Sequence, residues 1–435
     1  MSPTPTAPVV RHGSRNRQAF AYGGLLLFTL LLYLRPNEWL PIGTFPIVKI
    51  VAIGALVAFF VMQIADKRPI SVMPRELRLL LALTALMLLS AAFGLDVGTS
   101  LDTFSDTFLK ALLIFILMIN VVTSFRRLLR LLEITVLSGV FIALGTIVVF
   151  VKGENLSEGF RANGLVGGIF GNPNDLALAL NILIPIAVGL ALAHRPPLLK
   201  GIYLASVGTL TVGVLVTYSR AGLLTLGFMG AFLLLKLGRK YPIAWPIGTV
   251  AAVAIMVLAP GMFWGRVLTL FSGQTGAAQS ADIRWELLKR SVEVAGFNPM
   301  RWSLGVGINN FHIVSVHEHV NHNAYLQVFN EVGLPAAVIY CLFLFVAIRG
   351  MSQVARAYRR VRSYRQVWVL AIAIQTSLVA YAVGSIFASV AYLWYVYYAV
   401  GFAVCLRRIA PARAPRSIPV TELPPRVWYL RRAQQ

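Results

Sequence analysis

The chain has 435 residues, of which 58% are apolar and only 13% charged, and its mean hydropathy is +0.75. An ordinary soluble domain carries about twice that charged fraction, so a soluble enzyme or binding module is excluded. A net charge of +23 would suggest nucleic acid in a soluble protein; here the charge sits between apolar runs, and its distribution speaks for a membrane.

Apolar runs near the ~20 residues that cross a bilayer recur along the chain. They predict an all-α, polytopic membrane protein of about twelve transmembrane helices, at roughly 19–34, 45–64, 78–95, 107–123, 132–151, 175–193, 201–217, 221–235, 243–260, 334–348, 367–387 and 390–406. The first run follows Arg11, Arg15 and Arg17 like a signal peptide, but no small-x-small cleavage site comes after it, so it is read as a retained helix. With the N-terminus in the cytoplasm, 28 of the 39 Lys and Arg fall inside. Nine lie outside (Arg35, Lys152, Arg161, Arg220, Arg266, Arg284, Lys289, Arg290 and Arg301), and Lys49 and Lys110 fall within spans. The positive-inside rule then puts both termini in the cytoplasm, favouring an even number of helices.

This divides the chain into a cytoplasmic tail 1–18, helices one to nine over 19–260 with an outer loop at 152–174, a long periplasmic insert 261–333, helices ten to twelve over 334–406, and a basic cytoplasmic tail 407–435. Within the insert, Ile283, Leu287, Leu288, Val292 and Val294 have the spacing of an amphipathic helix over 281–297. Arg284, Lys289 and Arg290 on that helix offer either a basic face to an anionic glycolipid or a solvated surface. Cys341 and Cys405 stand alone in separate spans, so neither a disulfide framework nor a metal site follows.

Three places carry chemistry. Arg161 lies in Gly159-Phe160-Arg161-Ala162-Asn163-Gly164, just before Gly171-Asn172-Pro173-Asn174-Asp175, where an Asn or Asp would cap the sixth span. It reads either as a loop arginine among lipid headgroups or as an anion ligand beside a helix N-terminus. Arg220 lies in Tyr218-Ser219-Arg220-Ala221-Gly222, a turn that joins two spans with almost no loop. Its guanidinium must snorkel or find a partner, and Ser219 as an N-cap would leave amides facing the same spot, a cradle for phosphate. His312, His317, His319 and His322 fall within eleven residues. With no Cys beside them and no HExxH, metal is not expected. His322 opens Asn321-His322-Asn323-Ala324-Tyr325-Leu326-Gln327 where a helical pattern begins; Asn321 is the expected N-cap, and a neutral imidazole, ordinarily titrating near 6.5, could accept a hydroxyl proton. Among the outer carboxylates, Glu331 included, no pair has glycosidase or metal spacing.

In order and in shared side of the membrane, the Tyr218–Gly222 turn, the segment Gly305-Val306-Gly307-Ile308-Asn309-Asn310-Phe311 and the Asn321–Gln327 motif resemble those of the bacterial O-antigen ligases and related polymerases. The resemblance covers about residues 100–400 in architecture. It implies a glycosyltransferase of the helical membrane type (the GT-C class), acting without cofactor or metal in lipopolysaccharide biosynthesis. The implied partners are an undecaprenyl-diphosphate-linked O-antigen donor, a lipid A–core acceptor and membrane lipids. His322 matches the expected catalytic histidine, and Arg161 and Arg220 the donor diphosphate ligands; Ser219, Arg284, Asn321, Asn323 and Tyr325 are candidate further site residues. Polymerases of the superfamily take a second lipid-linked repeat as acceptor, and Leu34-Arg35-Pro36-Asn37-Glu38-Trp39 resembles relatives that glycosylate proteins. A transporter of the same lipid-linked sugar is the alternative of another class. It would need polar groups deep in the spans and two similar halves, neither of which the sequence displays.

Overall fold

The computed structural model describes residues 12–38, 46–67, 69–194, 196–258, 286, 289–294, 296, 298–315 and 321–410. Its helices are α1 (His12–Leu34), α2 (Ile47–Ala65), α3 (Arg75–Ala92), α4 (Val97–Val121), α5 (Phe125–Lys152), α6 (Pro173–Ala193), α7 (Pro197–Val216), α8 (Arg220–Gly238) and α9 (Ala244–Leu258). After the insert come the short α10 (Pro299–Leu304), α11 (Phe311–Val314) and α12 (Ala324–Val332), then α13 (Leu334–Tyr358), α14 (Arg365–Gly384) and α15 (Trp394–Ile409). The expected all-α polytopic membrane protein is borne out, apart from one small hairpin. Its strands, β1 (Leu156–Ser157) and β2 (Arg161–Ala162), pair antiparallel with Ser157 opposite Arg161.

Among the described residues, nine helices are long and apolar enough to cross a membrane. Of the other expected spans, α9 and α15 are short, and α3 opens on Arg75, Glu76 and Arg78. The fourth expected span starts ten residues early, at Val97, because Asp96 caps the helix through Thr99 and a π-helical turn at Phe104–Phe108 continues it. The Asp96 carboxylate accepts from both the amide and the hydroxyl of Thr99, and these bonds hold its pKa below the ordinary value.

Burial separates core helices from lipid-facing ones. In α6, 89% of the apolar window is buried, and around α14 78%, against 22% in α2 and 28% in α8. The outward leucines and valines of the latter have lipid rather than protein as their solvent. Packing at the centre depends on small residues, because helices in lipid gain from close backbone approach. At Gly222 a Cβ would lie 2.6 Å from the Ala177 Cβ, so α8 can rest on α6 only with glycine there.

Candidate active site

Arg161 and Ser219, 58 residues apart, are brought onto one asparagine. Asn174 Oδ1 accepts from Arg161 Nη2 at 2.7 Å and from Ser219 Oγ at 2.8 Å. The guanidinium also donates from Nε to the Thr217 carbonyl at 3.3 Å and pairs through Nη1 with Glu158 at 2.9 Å. It is therefore held in one plane, with only 11% of its side chain exposed, while Glu158 is half exposed. Asn172 caps α6 through the Asn174 amide, and Ser219 caps α8 through Gly222 at 3.1 Å. Ser219 thus uses its oxygen twice, once to fix the helix start and once to tie it to Asn174. The turn is anchored by Tyr218, whose ring packs on Phe150 and Phe160. Arg220 is the first residue of α8, half-buried, beside amides that have no partner within the helix.

His322 reaches the same end of the bundle by another route. Asn181 ties α6 to the Gly222 carbonyl at 2.9 Å, and Gly384 at the end of α14 packs against Leu178 of α6 and Thr225 of α8. Tyr325 donates its hydroxyl to the Ala382 carbonyl near that end of α14, at 2.7 Å. The half-buried His322 lies three residues before Tyr325, so it shares this end of the bundle with Arg161 and Arg220.

The expected cap is corrected. Asn323, not Asn321, caps α12, its side-chain oxygen accepting from Tyr325 and Leu326. Asn321 is two residues too early for that geometry and is buried, its oxygen accepting from Asn330 at 2.9 Å. Arg284, His317 and His319 lie outside the described residues. Among the described residues, no three His, Cys, Asp or Glu side chains are grouped as a metal site.

Backbone conformation marks the same region. Seven non-glycine residues among those described have left-handed φ: Arg35, Lys67, Asn155, Glu158, Tyr218, Asn309 and His322. All but Lys67 lie at this end. Tyr218 (φ 49°) and His322 (φ 47°) each stand immediately before an N-cap, of α8 and α12 respectively. Such positions cost of order 1 kcal/mol or more, and they concentrate where function constrains the chain.

Two further contacts were not legible from spacing. Glu38 accepts from the Gly167 amide and pairs with Arg35 at 2.8 Å, and Arg35 lies against Gly168, so the first outer connection clips the loop carrying Arg161. Glu331, 4% exposed, accepts from the Asn309 amide at 2.9 Å, with Gln327 and Tyr392 facing it. The Gly305–Phe311 segment folds onto the end of α12 through Val306 and Gly307 amides to the Asn330 and Glu331 carbonyls. Gly305 (φ 70°) has no room for a Cβ against the Glu331 backbone.

Burial pushes the Glu331 carboxyl up to about 7 from 4.5. The folded chain therefore keeps this proton to higher pH than the unfolded chain, and the stability gained is full below about 4.5 and lost as pH rises through about 7. Glu331→Gln, neutral throughout and still able to accept from Asn309, is expected to flatten that decline, retaining on the order of 3 kcal/mol at about pH 8. Thermal unfolding of both proteins in detergent between about pH 5 and 8 checks this; parallel profiles would contradict it.

Residues 205–341 match the family model described as O-Antigen ligase. The match contains the Tyr218–Gly222 turn, the Gly305–Phe311 segment and His322; Arg161 lies outside it. No curated protein matches the chain at a significant level. This multi-pass membrane protein thus carries, at 205–341, a segment similar to the O-antigen ligase family.

Proposed function

We propose that this chain is a metal-independent, inverting O-antigen ligase, transferring O-antigen polysaccharide from undecaprenyl diphosphate to lipid A–core oligosaccharide at the periplasmic face of the inner membrane. In this reading α3, α9 and α15 also cross, giving twelve spans with both termini cytoplasmic and the 261–333 insert outside. The observation that carries the proposal is the joining of Arg161, Asn174 and Ser219 at the N-terminus of α8. A guanidinium fork held in plane beside a helix N-terminus suits a diphosphate, which it meets through paired N–H groups.

The chemistry follows from the charges. Cleavage of the anomeric C–O bond leaves its electron pair on the diphosphate oxygen, and Arg161 and Arg220 stabilise that charge. The exposed Glu158 pair is the weakest hold on Arg161, so a diphosphate displaces it while Asn174 and Thr217 keep the fork oriented. On the opposite face His322 takes the proton of the acceptor hydroxyl as its oxygen attacks the anomeric carbon. Attack opposite the leaving group inverts the configuration.

Two arginines supply the counter-charge that a divalent ion would otherwise provide. Purified protein given lipid-linked donor and lipid A–core is therefore expected to form product at an unchanged rate after exhaustive chelation. Loss of activity restored by magnesium or manganese would overturn the metal-independent reading. Extension of the lipid-linked donor, with no product on lipid A–core, would identify a polymerase instead.

A further inference from the structure

The end of the bundle opposite Arg161 and His322 carries a second concentration of charge. Arg239 and Lys240 follow α8, Arg359 follows α13 and Arg365 opens α14. Lys240 Nζ lies 4.2 Å from the centre of the Trp368 ring and donates to the Arg359 carbonyl at 2.8 Å. Arg359 donates in turn to the Arg239 carbonyl at 3.3 Å. The Arg365 guanidinium is 5.9 Å from the Tyr241 ring, which meets Trp368 edge-on. Among the described residues, no carboxylate forms an ion pair with any of these four cations.

We propose that Arg239, Lys240, Arg359 and Arg365 form a binding site for the phosphodiester headgroup of an anionic phospholipid, with Tyr241 and Trp368 at the level of the membrane interface. Three lines support this. The four cations come from the ends of three helices: Arg239, Lys240 and Arg359 are linked by side-chain hydrogen bonds to backbone carbonyls, and Arg365 lies over the Tyr241 ring, so they are positioned as a set rather than scattered along a connection. Arg239, Arg359 and Arg365 remain exposed, free to turn towards a headgroup. Burial, then the charges of Arg365 and Arg359, hold the Lys240 ammonium below its ordinary pKa, an unfavourable state that an arriving phosphate relieves. Basic pockets between transmembrane helices, with amphipathic rings at headgroup depth, are a known chemistry for anionic lipid.

The test is native mass spectrometry of the full chain released from nanodiscs holding equal cardiolipin, phosphatidylglycerol and phosphatidylcholine, followed by titration of cardiolipin. The expected result is selective retention of the two anionic lipids. In Lys240→Gln/Arg359→Gln, cardiolipin affinity is expected to fall about thirty-fold, from roughly a five-fold loss for each interfacial cation removed. The paired substitution of Arg126→Gln and Arg130→Gln, exposed cations at the same end on α5, should leave affinity unchanged. Arg365→Gln, an exposed single change, serves if the double variant does not fold, and should weaken binding in the same direction. Equal retention of all three lipids, or equal loss in the Arg126/Arg130 control, would overturn the site. Displacement of cardiolipin by excess inorganic phosphate would overturn the lipid assignment in favour of a soluble anion.

Discussion

His322→Ala is expected to lower turnover by ~10²–10⁴-fold, the usual scale of general acid–base catalysis, while leaving donor binding intact. In the proposed mechanism the imidazole acts on the acceptor hydroxyl, so it contributes nothing to holding the diphosphate. The residue stands in left-handed conformation before the Asn323 cap, and Tyr325 anchors its helix to α14; both the cap and the anchor remain in the variant. In the wild-type protein the rate should also fall at acidic pH as the neutral ring takes up a proton. Alanine at His312, His317 or His319 should be far better tolerated. Steady-state rates with donor affinity measured in parallel decide this. Near-normal turnover in folded His322→Ala protein would remove the residue from the mechanism, and equal damage at His317 or His319 would revive a metal.

Arg161→Ala and Arg220→Ala are expected to lose donor affinity as well as turnover, and Arg220→Lys to remain severely impaired. An ammonium keeps the charge but not the planar fork. Arg161 has the tighter requirement, since Nε, Nη1 and Nη2 each hold a separate partner; lysine could satisfy one of them. Losing a charge-assisted hydrogen bond to a bound anion costs about 1.5–3 kcal/mol, which is roughly one to two orders of magnitude in affinity. Binding of labelled donor to solubilised variants is the measurement. Unchanged affinity would return both residues to the lipid headgroups.

Most of the bundle was legible because the bilayer imposes a length that any apolar run displays. The start of α4 was not: its Asp96 cap and π turn lie in a stretch broken by Asp102 and Asp106, which reads as polar. At the site, Arg220 stood out because a charged residue in a span-to-span turn needs a reason, Ser219 as the cap beside it, and Arg161 as a loop arginine just before the start of α6. The role of Asn174 did not, since one side-chain oxygen shared by two partners at distant positions is a tertiary fact. The same holds for Glu331, one carboxylate among many until burial and the Asn309 amide set it apart. Asn321 failed as a cap for a local reason: two asparagines flank His322, and only geometry distinguishes the one whose oxygen reaches the Tyr325 and Leu326 amides.

The transfer from lipid-linked donor to lipid A–core is tested most directly by expressing the chain in a ligase-deficient Gram-negative host that still makes lipid-linked O-antigen, and resolving its lipopolysaccharide by electrophoresis. The expected result is a restored ladder of O-antigen on core, absent with His322→Ala expressed to the same level. Longer lipid-linked chains with no attachment to core, or glycan found on protein instead, would contradict the proposed acceptor.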